Sequence, residues 1–303
     1  MYIRHYGLRE KPFSLTPDPR FLYLSASHRE ALAHLVYGIE QGEGFIAVTG
    51  EVGTGKTTLC RTLLERIGAG AEVAYLFNPR LDGRELLQAI HRELDLPAEG
   101  SRAELMDRLN RFLLETSRRG RRVLVLVDEA QNLPVDTLEE LRLLSNLETS
   151  TEKLLQIVLF GQPELDALLD SHALRQLRQR IGVRWRLDPL SDTEARDYVR
   201  HRLRVAAGCE SDLFSPAALR ELRRRSRGVP RLVNLLADRA LLAGYADGSA
   251  RVERVHVGRA AREILRARSR RRGLDRTRWR RLPRPRSGSG AGGRAEPAEK
   301  RSE

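Results

Sequence analysis

Residues 50–57 read Gly50-Glu51-Val52-Gly53-Thr54-Gly55-Lys56-Thr57. The spacing G-x-x-x-x-G-K-[ST] is typical of the loop that binds the phosphates of a nucleoside triphosphate. Its glycines allow the backbone to curl, so that successive N–H groups point into one concavity around the β-phosphate. Lys56 would place its charge on the β- and γ-phosphates, and Thr57 would offer a hydroxyl to Mg²⁺. The stretch therefore predicts a nucleotide-binding site.

The segments on either side of the loop support this interpretation. Residues 45–49 form a short apolar run rich in β-branched side chains, as a buried strand requires. Residues 58–67 have the apolar spacing of a helix and are followed by Gly68. That helix would begin with its positive dipole end at the phosphates. The residues assigned to nucleotide binding in this region are Gly50, Glu51, Val52, Gly53, Thr54, Gly55, Lys56, Thr57 and Thr58.

The composition is that of a globular protein with an uneven positive charge. The 303 residues are 41% hydrophobic and 31% charged, and the net charge is +13. No apolar run reaches the roughly 18 residues of a membrane helix, and the N-terminus lacks the apolar centre of a signal peptide. Two cysteines, Cys60 and Cys209, are too few for a disulfide framework or a zinc site. The cytoplasm is therefore the expected location.

A second motif follows the loop at residues 123–131. Residues 123–127 are five consecutive apolar residues, which predicts a strand buried on both faces, and Asp128 and Glu129 follow directly. Ligands bind at the carboxyl ends of the strands in open parallel sheets. We therefore expect Asp128 to hold Mg²⁺ together with Thr57, and Glu129 to take the proton from an attacking water. By itself the pair would indicate a solvated turn or a helix cap, but the upstream loop favours catalysis.

Further strands are predicted at residues 73–77, 154–160 and 183–187. Gln162 follows the second of these, where its side chain could contact the γ-phosphate or the attacking water, although a plain turn residue is the alternative. Three arginines precede the last strand. Each could belong to a solvated helix face, and one could be an arginine finger that reaches the nucleotide of a neighbouring subunit. These arginines are Arg175, Arg178 and Arg180.

The remainder of the chain divides by composition. Residues 1–27 are rich in aromatics and prolines and predict an irregular arm packed on the core. Ser27, with Glu30 three residues later, predicts the cap of the next helix. The apolar spacing is helical over four later segments. These are residues 192–206, 216–226, 230–245 and 255–267.

Two features of the C-terminal part bear on function. Arg231 directly follows Pro230, at the predicted start of a helix, where it could close over the nucleotide. Residues 266–286 hold eleven arginines and one acidic residue, and a stretch rich in proline, serine and glycine follows. Such a segment cannot bury a core, so we expect it to be disordered.

Together these features predict an α/β fold, with a parallel sheet flanked by helices, then a small all-helical lid and a disordered basic tail. The predicted parts are an arm at 1–27, a nucleotide domain at 28–190, a lid at 191–267 and a tail at 268–303.

Several segments resemble one known family. They are Tyr6-Gly7-Leu8, Lys11-Pro12-Phe13, Thr16-Pro17-Asp18-Pro19, Phe21-Leu22-Tyr23, Val127-Asp128-Glu129-Ala130-Gln131-Asn132-Leu133 and Gly161-Gln162-Pro163-Glu164-Leu165. They are similar to the ExeA/GspA family, the AAA-type ATPases of general secretion pathway protein A. The resemblance covers about residues 1–265. It implies an AAA+ P-loop fold, ATP in preference to GTP, Mg²⁺, and hydrolysis of ATP to ADP and phosphate.

The resemblance also implies residue roles. Lys56 and Thr57 match the Walker A lysine and threonine, and Asp128 and Glu129 match Walker B. Gln162 matches the sensor 1 region, where AAA+ proteins more often carry Asn, Ser or Thr, and Arg231 matches sensor 2. Arg180 is our first choice for a finger supplied in trans, ahead of Arg178, which implies a homo-oligomer. ExeA-type proteins continue into a transmembrane helix and a peptidoglycan-binding domain; we find neither here, which favours a truncated or exosortase-locus relative.

Three functions remain open at this stage. The first is an ATPase that powers or regulates assembly of a bacterial envelope secretion, pilus or exopolysaccharide-export system. The second is a DNA-associated ATP switch of the transposition-regulator type, and the third is an ATP-bound scaffold, against which Glu129 argues. The basic tail could contact anionic lipid at the inner membrane or DNA, or stay in solvent. We rank the membrane surface above DNA.

Overall fold

The structure is a computed structural model. It describes residues 1–264 apart from residues 17, 78, 79, 150 and 151. Residues 1–261 form one compact unit and residues 262–303 a second, of which 262–264 are described and helical. The predicted tail and the last residues of the predicted lid lie outside the described residues. Asn78 and Pro79, a pair that predicts the end of the strand at residues 73–77, also lie outside the described residues.

Five parallel strands form the sheet, in the order β2-β3-β4-β1-β5. The strands are β1 Phe45–Gly50, β2 Ala71–Phe77, β3 Arg122–Asp128, β4 Leu155–Gly161 and β5 Ile181–Leu187. Each overlaps a strand predicted from the sequence. Because all five run in one direction, their carboxyl ends lie along one edge of the sheet, where open α/β proteins bind ligands.

Helices connect the strands and continue after the last one. They are α1 Tyr2–His5, α2 Ala26–Glu40, α3 Lys56–Ile67, α4 Gly83–Glu93, α5 Arg102–Arg118, α6 Val135–Leu144, α7 Pro163–Leu169, α8 Arg175–Arg178, α9 Asp192–Ala207, α10 Pro216–Ser226 and α11 Pro230–Ala246. Residues 254–261 are also helical. Among the described residues, no helix combines the length and the apolar character that crossing a bilayer requires.

The two faces of the sheet bury separate clusters of side chains. In β1, Phe45 and Ala47 point to one cluster and Ile46 and Val48 to the other, because successive strand residues face opposite sides. Leucines of α4, α5, α6 and α7 cover the first face, and α2 and α3 cover the second. The result is a sheet between two helical layers, and the predicted α/β class with a helical C-terminal segment is confirmed.

One predicted helix cap is wrong. The helix after the arm begins at Ala26, and its N-cap is Ser25, whose Oγ accepts the backbone N–H of His28. Ser27 lies inside the first turn, and its hydroxyl accepts the N–H of Asp188 instead. Two serines, Ser25 and Ser27, stand on either side of Ala26, so the sequence alone left the cap ambiguous. Ser191 and Ser215 are the N-caps of α9 and α10, and the hydroxyl of each accepts a backbone N–H of its helix.

The aromatic residues of the N-terminal arm pack on the helices that follow β5. Tyr2 donates its hydroxyl to Asp238 on α11 at 2.6 Å. The ring of Tyr23 lies edge-on to that of Tyr198 on α9, with 5.8 Å between their centroids. The arm therefore contacts α9 and α11. The borders of the arm, the nucleotide domain and the lid within residues 1–261 stay predictions.

Candidate functional site

The loop between β1 and α3 follows the carboxyl end of a central strand. Gly53 and Gly55 have φ values of +85° and +106°, a region that favours glycine because it lacks a Cβ. The N–H of Thr54 donates to the Glu51 carbonyl at 3.2 Å and closes a tight turn. Lys56 is the first residue of α3, so the orphan N–H groups of that helix begin at the loop. The backbone is therefore shaped to surround an anion.

Lys56 is buried at the bottom of this loop, and only 5% of the residue is exposed. Its Nζ donates to the carbonyl oxygens of Gly50 at 2.7 Å and Glu51 at 3.1 Å. Burial lowers the pKa of Lys56, and the nearby carboxylates of Glu129 and Asp128 oppose that effect. A phosphate brought to Nζ would add negative charge and favour the protonated amine.

Asp128 joins the loop to the neighbouring part of the sheet. It is fully buried, and its Oδ2 accepts the hydroxyl of Thr57 at 2.8 Å and that of Tyr75 at 3.3 Å. Its Oδ1 accepts the N–H of Glu129 at 2.9 Å. Burial raises the pKa of the Tyr75 hydroxyl, which therefore stays protonated as a donor. The hydroxyl and carboxylate oxygens of Thr57 and Asp128 are the hard donors that Mg²⁺ prefers.

Glu129 has a strained backbone and a side chain held by two amides. Its φ is +56°, which is uncommon for a residue other than glycine and often marks functional sites. Its Oε2 accepts Nε2 of Gln131 at 2.6 Å and Nε2 of Gln162 at 2.7 Å. The N–H of Gln162 donates in turn to Oε1 of Gln131 at 3.0 Å. The carboxylate is thus fixed at the carboxyl ends of β3 and β4.

Arg231 lies against the loop from the helical segment. Its backbone N–H donates to the Gly53 carbonyl at 3.2 Å. A Cβ placed on Gly53 would lie 2.5 Å from Cβ of Arg231, so the two residues touch along the loop. The first turn of α11 is therefore held on the phosphate loop itself.

The three candidate finger arginines lie away from the loop. Arg180 directly precedes β5, at the edge of the sheet opposite the loop, and its Nη1 donates to Ser145 Oγ at 3.0 Å. Arg178 and Arg175 belong to α8 and are exposed. Because β5 separates Arg180 from the loop by its full length, Arg180 is not brought to the site within one chain.

A cavity of about 380 Å³ lies over the loop and extends toward the arm and α9. Of the predicted site residues, the following line it: Val52, Gly53, Thr54, Gly55, Lys56, Thr57, Thr58, Glu129 and Arg231. Gly50, Glu51, Asp128 and Gln162 do not line it but contact residues that do. Its remaining wall includes Leu15, Phe21, Tyr23, Leu190 and Tyr198, an apolar and aromatic end.

The structure adds four polar residues that sequence reasoning missed. Tyr75 contacts Asp128, Gln131 contacts Glu129, and His28 contacts the Thr54 carbonyl. Arg202, 7% exposed, donates Nε to the Pro12 carbonyl and lies 4.8 Å from the ring centroid of Phe21 at the cavity wall. The signal for Gln131 was its place two residues after Glu129. No short motif marks the other three, because their partners are distant in sequence.

Comparison with known proteins identifies relatives of the chain. Residues 39–169 match the family model for an AAA domain. The chain is 50% identical over 266 residues, 87% of its length, to General secretion pathway protein A from Aeromonas hydrophila. It spans about half, 48%, of the length of that relative.

Solved structures share the fold at lower identity. The ORC2 protein of Aeropyrum pernix, in ADPNP–ADP complexes, aligns with a TM-score of 0.59 at 20% identity, covering 84% of this chain and 71% of that one. Drosophila ORC bound to DNA gives 0.62 at 20% identity, covering 88% and 66%. The RuvB branch migration motor of Thermotoga maritima gives 0.53 at 20% identity, covering 86% and 73%. These likenesses concern the fold alone.

Proposed function

This chain is a homologue of general secretion pathway protein A with an AAA domain, and from that premise we propose that it hydrolyses ATP to ADP and phosphate. One observation carries the proposal. The hydroxyl of Thr57, in the phosphate loop, donates to Asp128, 71 residues later, at 2.8 Å. Glu129 follows directly, so the phosphate loop, a metal-binding pair and a general base meet at one point of the sheet edge.

The loop would bind the β- and γ-phosphates through its backbone N–H groups and Lys56. Nζ of Lys56 would exchange the carbonyls of Gly50 and Glu51 for phosphate oxygens. Thr57 and Asp128 would hold Mg²⁺, since both present oxygen donors and are already within 2.8 Å of each other. When bound, the ion would neutralise charge that develops between the β- and γ-phosphates.

Glu129 would act as the general base toward water. The two amide donors fix Oε2, which leaves Oε1 to accept the proton. The O–H bond of the water breaks, its proton passes to Glu129, and its oxygen bonds to the γ-phosphorus. The bond from that phosphorus to the bridging oxygen breaks, and its electron pair leaves on ADP. Gln162, in the sensor 1 position, would hold the carboxylate of Glu129 in the orientation that faces the attacking water.

The aromatic end of the cavity would take the base and ribose. Phe21 and Tyr23 of the arm and Tyr198 of α9 line the cavity together with the loop. Arg231, at the start of α11, would lie beside the phosphates, so that its contact with them would change the position of the helices that follow β5. Closure of these helices on ATP, and their release after hydrolysis, would transmit the nucleotide state to a partner.

We propose that Arg180 completes the site of a neighbouring subunit in a homo-oligomer. Its exposed position, opposite its own loop, supports a role in trans. Arg178 and Arg175 are the alternatives on the same surface. A finger supplied in trans is worth on the order of 10³–10⁵ in rate, so the isolated subunit should turn over slowly.

The cellular role we propose is to power or regulate assembly of an envelope secretion, pilus or exopolysaccharide-export system. The relationship to general secretion pathway protein A supports it. The protein would act in the cytoplasm or at the inner-membrane surface, with the basic tail on anionic lipid. A DNA-associated ATP switch is less favoured, because the DNA-bound neighbours support only the fold.

Two binding assays distinguish lipid from DNA as the partner of the tail. Liposome flotation measures lipid binding and a salt-titrated gel shift measures DNA binding, each with the full chain and with a chain that lacks residues 268–303. If the deletion changes neither result, the tail has neither role.

Phosphate release from ATP tests the enzymatic proposal. Glu129→Gln should abolish release while leaving ATP binding within about threefold of wild type, since the base acts on water and not on the nucleotide. Glu139→Gln, a glutamate on α6 paired with Arg142, is the control and should keep full activity. Equal release by wild type and Glu129→Gln would overturn the assignment of the base.

A further inference from the structure

His28 lies buried against the phosphate loop, although it comes from α2 on another part of the chain. The residue is 4% exposed. Nε2 lies 3.0 Å from the carbonyl oxygen of Thr54, and Nδ1 lies 2.6 Å from Oγ of Ser25. Both ring nitrogens therefore have a partner, one of which is the backbone of the loop itself.

The partners determine which nitrogen carries the proton. A carbonyl oxygen can only accept, so Nε2 of His28 must donate to Thr54. Oγ of Ser25 accepts the backbone N–H of His28 at 3.3 Å, and its own hydrogen is free to point at Nδ1. Burial lowers the pKa of His28, which favours this neutral form. The ring is thus a neutral donor to the loop.

The bond to Thr54 sets the orientation of one peptide group in the loop. In a trans peptide the C=O and the following N–H point in opposite directions. Because the Thr54 carbonyl is turned toward His28, the N–H of Gly55 is turned away from it. Gly55 belongs to the stretch whose N–H groups are expected to surround the β-phosphate. A Cβ on Gly55 would also lie 2.7 Å from Nε2 of His28, so the ring requires glycine there.

We propose that His28 is a positioning residue that fixes the Thr54–Gly55 peptide in its phosphate-binding orientation before the nucleotide arrives. The inference rests on the proposed nucleotide binding and deepens it. Without the donor, the peptide could rotate, and the nucleotide would have to order it at the cost of affinity.

The end of α2 that carries His28 is itself anchored. The N–H of Ala26 donates to Oε1 of Glu194, in the first turn of α9, at 2.8 Å. Oγ of Ser27 accepts the N–H of Asp188, just after β5. These bonds hold the first turn of α2 between the sheet edge and α9. The backbone that carries the imidazole is therefore held in place, which fixes the position of the ring against the loop.

Calorimetric binding of ADP and AMP to the full chain tests the proposal. His28→Met and His28→Gln have side chains of similar size, but only glutamine retains an N–H donor near the position of Nε2. His91→Met is the matched control, because His91 is also buried and pairs with a backbone carbonyl, that of Leu87, on the other face of the sheet. A second route removes the Ser25 hydroxyl by Ser25→Ala, with Ser101→Ala as a helix-cap control on α5.

We expect His28→Met to weaken ADP binding about tenfold, the value of one oriented hydrogen bond, and His28→Gln to stay within about threefold of wild type. AMP, which lacks a β-phosphate, should bind all variants alike. Equal weakening by methionine and glutamine, equal weakening for AMP, or no weakening at all would overturn the role. If His28→Met does not fold, Ser25→Ala decides: it should weaken ADP and not AMP, and Ser101→Ala should weaken neither. A wild-type protein that binds no ADP would instead overturn the proposed function, and the role of His28 with it.

Discussion

Gln162 donates its side-chain N–H to Oε2 of Glu129 at 2.7 Å, across the carboxyl ends of two neighbouring strands. Gln131 donates to the same oxygen at 2.6 Å. A general base contributes to the rate only when it is aimed at the reacting proton. If Glu129 is the base that we propose, the two amides would orient its carboxylate toward that proton, because each donates to Oε2 and restricts rotation of the side chain.

Replacing Gln162 by methionine should lower kcat about tenfold and leave the affinity for ATP within about threefold of wild type. The reason is that the side-chain amide of Gln162 contacts Glu129, the proposed base, and not the phosphate loop. Steady-state phosphate release and equilibrium ATP binding measure the two quantities. Gln156→Met is the control, because Gln156 is a buried amide at the opposite end of β4 that donates to the Ile39 carbonyl. A fall in kcat of similar size in the control would refute the role of Gln162.

Replacing Thr57 by valine should raise the Mg²⁺ concentration for half-maximal activity about tenfold or more. The change removes the hydroxyl that donates to Asp128 while it keeps the shape of the side chain. Thr62→Val, further along α3, removes a hydroxyl that donates to the Thr58 carbonyl, and it should leave the Mg²⁺ requirement unchanged. An unchanged requirement in Thr57→Val would exclude Thr57 as a metal-binding residue.

Gly53→Ala should weaken ATP binding by roughly tenfold to a hundredfold. The added Cβ would lie 2.5 Å from Cβ of Arg231 and would push α11 off the loop. Gly42 also has a positive φ, of +77°, but nothing lies within 4 Å of a Cβ there. Gly42→Ala therefore carries the same backbone strain and should cost stability without loss of ATP affinity. Equal affinities in the two variants would show that the contact with Arg231 is unimportant for binding.

The free energy of unfolding should depend on pH through the ionisation of Glu221. This residue on α10 pairs with Arg224 and Arg225, which lower its pKa from 4.5 to about 2. A depressed pKa stabilises the folded state above pH 4.5, and that contribution disappears as the pH falls toward 2. Glu221→Gln should therefore cost about 2 kcal/mol at pH 7 and progressively less below pH 4.5, as measured by urea unfolding.

The control for that titration is Glu210→Gln. Glu210 pairs with Arg204, but the two side chains are 75% and 54% exposed. An exposed pair contributes less than about 1 kcal/mol, so this variant should match wild type at every pH. A difference between wild type and Glu221→Gln that is constant from pH 7 to pH 3 would contradict the pairing as its cause.

Much of the fold was predictable because the strands have clear patterns. β1 and β3 are short runs of mainly apolar residues buried on both faces, and β5 alternates apolar residues with exposed arginines, which also indicates a strand. The phosphate-loop pattern and the strand and helix beside it are contiguous in sequence, so they could be predicted as well. The resemblance of the motifs to the ExeA/GspA family is confirmed by the relationship to general secretion pathway protein A.

The contacts that join distant segments were not predictable. His28 meets Thr54 across 26 residues, and Tyr75 meets Asp128 across 53, and neither spacing is a pattern. The left-handed backbone of Glu129 leaves no mark in the sequence either. Residues in these contacts have ordinary alternatives as core or surface side chains, so only the packed sheet brings them together.

Mixing two variants tests whether the finger acts in trans. Arg180→Ala and Glu129→Gln should each be inactive alone, the first for lack of a finger and the second for lack of a base. A mixture should recover part of the activity, because some interfaces then combine an intact Arg180 with an intact Glu129. Arg178→Ala in place of Arg180→Ala is the matched control and should remain active alone. A mixture that stays inactive would contradict the assignment of Arg180.

Phosphate release per subunit, measured against protein concentration, tests the central claim most directly. If ATP is hydrolysed at a site that a neighbouring subunit completes, the rate per subunit should rise steeply with concentration and then level off. Glu129→Gln should remain inactive at every concentration. A low rate that does not change with concentration and is the same in Glu129→Gln would contradict the claim, because neither a second subunit nor this carboxylate would then take part.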